Sequence, residues 1–375
     1  MDAPDTADAP RAASDNLNAE LADLRAEVER QARTIAELRD STKLLLDHAG
    51  MINAERERRI RTRVKTQARR WNEPPIKTWR HHRPRPLTVP RHYLATSAPR
   101  PAPSISIVTP SYQQGAFIER TIRSVLTQDY PELEYIVQDG GSSDGTRDVL
   151  ERYAARLASC VSAPDGGQSD AINQGFERST GEIMAYLNSD DLLLPGALHY
   201  VGRYFADHPD VDAIYGHRII IDDRDREVGR WILPSHDDQV LEIVDYVPQE
   251  TLFWRRRAWE RAGSHIDSAL EFAIDWDLLM RFKRSNCRFV RVPRFLATFR
   301  LHRDQKSVVL HDVGVDESGR LRNLWHGRCV DDAEVARRLG PYYRRQKALQ
   351  YRHRILSKLT PVVDVTAHWT NGREA

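Results

Sequence analysis

Cysteine is scarce in this chain, with three in 375 residues, at Cys160, Cys287 and Cys329. An odd number at wide spacing builds neither a disulfide framework nor a zinc site, and it fits a reducing compartment. Long apolar runs are missing too. No stretch reaches the roughly 18 apolar residues of a membrane-crossing helix. The opening MDAPDTADAPRAASD is acidic and has no apolar core of a signal peptide. The expected location is cytoplasmic, with peripheral contact to the inner face of a membrane also open. Net charge is small, 56 basic against 54 acidic residues, so only its distribution is informative. No repeat of 20–50 residues is evident. No G-x-G-x-x-G follows the first strand, where the chain reads TPSYQQG, which sets aside a dinucleotide-dependent oxidoreductase.

What is present divides the chain into five parts. Residues 1–14 are small, polar and acidic, a composition that stays disordered. Within 15–50, Leu17, Leu21, Leu24, Val28, Ile35, Leu38 and Leu45 follow a four-three spacing, with Gln31 and Thr42 as polar interruptions. That pattern predicts a coiled coil and a homo-oligomer; a single amphipathic helix packed on its own protein also satisfies it. Residues 51–102 are basic and Pro-rich. They read either as a solvated linker or as an electrostatic arm for an anionic surface, with Trp71 and Trp79 as interfacial anchors. No nucleic-acid motif accompanies this charge. Residues 103–305 form the expected catalytic domain, and 306–375 a helical, basic extension.

From Pro103 onward, strand and helix alternate. ISIVTPSY, LEYIVQDG, a short strand near 159–163 and EIMAYLNSDD each precede a helical pattern. Repeated βα order predicts an α/β fold with a mainly parallel sheet and flanking helices, and such sheets bind ligands at the carboxyl ends of their strands. Polar groups just past each strand are therefore the candidates. Asp139 sits on a Gly-rich turn and fits either a base-binding carboxylate or a local turn with helix capping. Asp190 and Asp191 are adjacent carboxylates at a strand end. Their repulsion calls for a cation, and Mg²⁺ or Mn²⁺ takes oxygen ligands and is completed by phosphates; capping of the helix after Pro195 is the other reading, and it accounts for one of the two. Asp275 fits a general base near a helix start; Asp277 fits as well, and so does a charge-dipole role for both. Arg300 and His302 share one strand face, suited to phosphate and metal respectively, or to structure alone.

Taken together, SISIVTPSYQQGAFIERTIRSVLTQDYPELEYIVQDGGSSDGT, PDGGQSDAINQGFERSTGEIMAYLNSDDLLLPGAL, IDWDLLMRF and FRLHRDQKS resemble glycosyltransferase family 2 over about 200 residues. The resemblance implies a GT-A fold, a nucleoside-diphosphate sugar donor, inversion at the anomeric carbon and a divalent cation. It places Pro110 and Tyr112 at the base pocket, Asp139 on the base, and Asp165, Gln168 and Asp170 near the donor. The family's Asp-x-Asp motif falls on Asn188-Ser189-Asp190, so its first carboxylate is an amide here. Asn188 then meets ribose or metal-bound water, Asp190 ligates the metal and Asp191 supports it. Asp275 falls on the catalytic base, following Ile274 where the family often has Glu. His302 falls on a late metal or diphosphate contact. Val247–Thr251 and the aromatic stretch Phe253–Trp259 fall beside the acceptor, with core packing as the other explanation for the aromatics. The expected acceptor is a glycan or lipid-linked hydroxyl, and the expected donor a UDP-sugar. The competing expectation is an inactive scaffold in a polysaccharide-assembly complex.

Overall fold

The computed structural model describes residues 82–303 and 305–369, all inside one compact unit, residues 74–375. Residues 15–50, where a coiled coil is expected, the acidic residues 1–14, and Trp71 and Trp79 lie outside the described residues.

The strands are β1 (Thr88–Pro90), β2 (Ile105–Ser111), β3 (Leu133–Asp139), β4 (Ser159–Ser162), β5 (Ile183–Tyr186), β6 (Leu192–Leu193), β7 (Ala213–Ile221), β8 (Glu227–Trp231), β9 (Phe253–Arg255), β10 (Phe289–Arg300) and β11 (Val362–Asp364). Nine of them form one sheet in the order β4-β3-β2-β5-β9-β7-β10-β6, with β8 on β7; β1 and β11 pair separately. The half built from the βα repeats, β4-β3-β2-β5, is parallel as expected. The other half is mixed: β9 runs antiparallel to both β5 and β7, and β6 and β8 are antiparallel edges. β7 and β8 pair antiparallel. Between β8 and β9 lies a short helix, Asp238–Leu241. β10 is a single long strand whose register slips between Arg291 and Phe295, around Pro293. Proline has no N–H to give the ladder, so pairing breaks there.

β2 is buried at all seven positions, as a strand covered on both faces must be. Its side chains alternate between two cores. Val108 packs with Ile136, Ile172, Phe176 and Trp254 under the helix Gln168–Glu177. Ile105 and Ile107 pack with Ile118, Ile122 and Val125 under the helix Ile118–Leu126. Each such side chain contributes about 1.5–3 kcal/mol on burial. The helix Gln168–Glu177 comes close enough to β2 that a Cβ on Gly175 would lie 2.4 Å from Val108 Cγ1. Glycine at that point sets the depth to which the helix settles.

The segment before β1 is pinned by charge. Arg85 and Glu227 exchange backbone hydrogen bonds, and the buried Glu227 carboxylate also accepts from the Arg85 and Arg230 guanidiniums. Burial pushes this carboxyl up, but the two arginines outweigh burial and hold it below its ordinary 4.5. A carboxylate with a depressed folded value contributes stability above its unfolded value, and that contribution fades as pH falls through the folded one. Glu227→Gln is expected to lose about 3 kcal/mol at pH 7. The gap to wild type should narrow as pH is lowered beneath 4.5. Urea unfolding at both pH values reads this; a gap independent of pH would assign the loss to packing.

Candidate active site

The carboxyl ends of β2 and β5 and the loops beyond them open on a cavity of about 890 Å³. Pro110 at the end of β2 lines it, with Tyr112 at the mouth, 63% exposed. From the loop after β4 come Asp165 and, at the start of its helix, Gln168. From the loop after β5 come Asn188, Ser189, Asp190 and Asp191. Asp275 enters from a separate element, the first turn of the helix Ile274–Arg284. The groups singled out for leaving-group and base chemistry thus face one space.

Several expected residues sit elsewhere. Asp139 is buried, and its oxygens accept from Ser142 N–H at 2.9 Å, Ser142 Oγ at 2.5 Å and Ser162 Oγ at 2.6 Å. It does not line the cavity; it ties the turn after β3 to the end of β4. Asp170 accepts from Gly166 N–H and Gln174, bracing the loop that carries Asp165. Asp277 pairs with Arg281 at 2.8 Å, which leaves Asp275 as the carboxylate of this helix that faces the cavity. Arg300 is fully buried. Its guanidinium bonds Asp225 and the carbonyls of Asp190 and Asp222, so it fixes the loop backbone instead of meeting solvent or phosphate. Phe253, Trp254 and Trp259 are core residues, while Val247, Gln249 and Glu250 of the preceding segment do line the cavity.

Asn188 is held by an amide chain. Lys306 Nζ donates to Gln168 Oε1 at 2.5 Å, Gln168 Nε2 to Asn188 Oδ1 at 2.8 Å, Asn188 Nδ2 to Gln249 Oε1 at 3.2 Å, and Gln249 Nε2 to the Tyr186 carbonyl at 2.7 Å. A carboxylate at 188 could not donate to Gln249, so the amide is matched to its neighbours. Lys306 and Arg218 were not anticipated, and Glu250 was expected only as part of the acceptor-side segment Val247–Thr251. Arg218 and Glu250 form a buried bidentate pair, and the Arg218 guanidinium lies 4.4 Å from the Phe299 ring centre. No local sequence signal marks the pairing, because Arg218 on β7 meets Glu250 in the turn before β9 only once the chain has folded. Glu317 was also missed. Its carboxylate accepts the N–H groups of Glu271, Phe272 and Ala273 at 2.8, 2.8 and 3.0 Å, fixing the loop that delivers Asp275.

The cavity is strongly acidic. Asp165, Asp190, Asp191, Asp245, Glu250 and Asp275 line it against Arg218 and Lys306. Burial pushes the Asp165 carboxyl up, helped by Asp170 and Asp139. Burial drives Asp191 well above the usual carboxylate range, with Asp190 and Glu250 adding to it, and its Oδ2 has no hydrogen-bond partner. Its Oδ1 accepts from Arg300 N–H. Lys306 is lowered by burial, against the pull of Asp275, Glu317 and Glu271. A diphosphate entering such a space needs added positive charge.

His302 Nε2 lies 2.9 Å from Asp190 Oδ2. Two donors about 3 Å apart suit neighbouring positions around an ion with bonds of about 2.1 Å, the geometry of Mg²⁺-like cations. Among the described residues no three His, Cys, Asp or Glu side chains converge to form a cage. The donor set therefore fits a cation held by one or two side chains and completed by phosphate and water, the usual mode for Mg²⁺.

The family model for glycosyl transferase family 2 matches residues 106–281. An uncharacterised glycosyltransferase of Mycobacterium tuberculosis is 38% identical over 186 residues, covering 48% of this chain and 69% of that protein. The chain belongs to glycosyltransferase family 2. Another relative of this family 2 chain, an uncharacterised glycosyltransferase of Nostoc, is 33% identical over 129 residues; the match covers 34% of this chain and 40% of that protein. The chain thus spans well under half of the Nostoc protein's length. The fold resembles that of residues 1–349 of TarS from S. aureus, solved with UDP-GlcNAc, at a TM-score of 0.50 and 17% identity, over 64% of this chain and 71% of that one. The family 2 domain has the GT-A fold, a mixed sheet with flanking helices.

Proposed function

We propose that the chain transfers a sugar from a nucleoside-diphosphate sugar to a hydroxyl of a glycan or lipid-linked acceptor, inverting the anomeric carbon. One observation carries this reading: Asp190 and Asp275 line the same cavity from different elements. Pro110, Tyr112, Asp165 and Gln168 line the donor side, and Asn188 and Ser189 the passage to Asp190. Asp190 with His302 would hold a divalent cation, Mn²⁺ or Mg²⁺, with Asp191 as the supporting carboxylate beside them. When bound, the cation supplies positive charge to the departing diphosphate. Asp275 accepts the acceptor's hydroxyl proton as that oxygen forms its bond to the anomeric carbon. The bond to the diphosphate breaks on the opposite face, and its electron pair leaves with the phosphate oxygen. Attack opposite the leaving group gives inversion. Val247, Gln249 and Glu250 stand where an acceptor would lie. The TarS fragment was solved with UDP-GlcNAc, so UDP-sugars are the first donors to test.

A panel of UDP-, GDP- and dTDP-sugars with Mn²⁺ tests the proposal. One donor is expected to release nucleoside diphosphate at a rate abolished by chelation. Absence of both release and donor binding across the panel would leave a scaffold as the better account.

A further inference from the structure

The helix Asp332–Leu356 is docked along one side and bare on the other. Tyr342 and Gln346 are buried, Leu349 packs against the core near β1, and the His353 ring lies 5.5 Å from that of Phe295. At 100° per residue these four share a face, and Tyr351 and Ile355 fall opposite them at four-residue spacing. Of the ten large apolar side chains exposed among the described residues, five fall within 351–362: Tyr351, Ile355, Leu356, Leu359 and Val362. Leu359, just past the helix end, is 79% exposed. Single exposed apolar residues need no explanation, but a stripe confined to one helix end does.

Charge says what covers it. Residues 335–363 contain eight Lys and Arg and no Asp or Glu. Arg338 and Arg345 are paired, to Glu334 and Asp237, on the docked part of the helix. Lys347, Arg352, Arg354 and Lys358 are exposed around the apolar stripe. On the helix, Lys347 and Arg354 flank it on one side and Arg352 on the other, and Lys358 follows in the turn past the helix end. An apolar stripe between rows of cations matches an anionic bilayer surface, where apolar groups enter the headgroup boundary and cations meet lipid phosphate. Another protein surface would meet this charge only with a matching acidic patch.

We infer that the exposed end of this helix and the segment that follows it, Tyr351 to Val362, dock on an anionic lipid bilayer. The inference stands apart from the proposed transfer reaction, since it needs neither donor nor cation. The full chain is mixed with vesicles of phosphatidylcholine, with and without phosphatidylglycerol, and pelleted. Binding is expected only with the anionic lipid, and high salt should release it. Arg354→Glu/Lys358→Glu and Ile355→Ser/Leu359→Ser should each weaken partitioning about tenfold or more. Both pairs are exposed, and unchanged thermal unfolding checks the fold. Wild-type partitioning by both variants would overturn the inference and move the contact to the basic segment 51–102. Equal binding to neutral vesicles would overturn it too, as would a wild-type dimer in sedimentation that the apolar variant dissolves without vesicle binding.

Discussion

Replacing Asp275 with Asn is expected to lower kcat by a factor of about 10²–10⁴. The substitution keeps the shape and removes the proton-accepting capacity. The helix that carries Asp275 should be undisturbed, because its anchors are elsewhere: Trp276 is buried and its indole N–H donates to the Leu241 carbonyl at 2.8 Å. Glu317 still holds the preceding loop. Donor affinity by calorimetry should therefore stay within a few-fold of wild type while turnover collapses. A variant that turns over at a similar rate would remove Asp275 from the mechanism. A variant that loses donor affinity instead would make it a binding group.

The second large effect is expected at Asp190. Asp190→Ala should abolish Mn²⁺-dependent donor binding, read by calorimetry with and without metal, and reduce transfer by about 10³-fold or more. His302→Ala, which removes the second proposed ligand, 2.9 Å from Asp190, should cost a smaller factor, about 10–100 in metal affinity. The order of the two effects is the test. Equal and minor losses at both positions would place the cation elsewhere in the cavity.

The legible part of this site is the part dictated by strand ends. Pro110, Asp165, Asn188 and Asp190 follow strands or precede helices within a few residues, so the βα pattern alone puts them at one edge of the sheet. Asp139 obeys the same rule yet is consumed by two serines, one of them on the next strand, and only coordinates reveal that. Arg300 was legible as a cation on a strand, but its direction was set by Asp225 across a turn. Arg218 and Glu250 meet across 32 positions of chain, through β7 and the turn before β9, and no periodicity encodes that meeting. The mixed half of the sheet was hidden for a similar reason. β9 is three residues long and fully buried, too short to show a pattern. The aromatics Phe253–Trp259 look like a ligand wall in sequence because burial in a core and burial under a ligand demand the same side chains.

Residues beyond 281, where the family match ends, complete the cavity and hold its loops: Gln305, Lys306, Val309 and Leu310 line its wall, and Glu317 clasps the loop before Asp275. The site is therefore hostage to the tail. Grafting residues 106–281 onto another protein would carry the strand-end carboxylates without the vessel, and drift at Val309, Leu310 or Glu317 could retune the site while every recognisable motif stayed untouched.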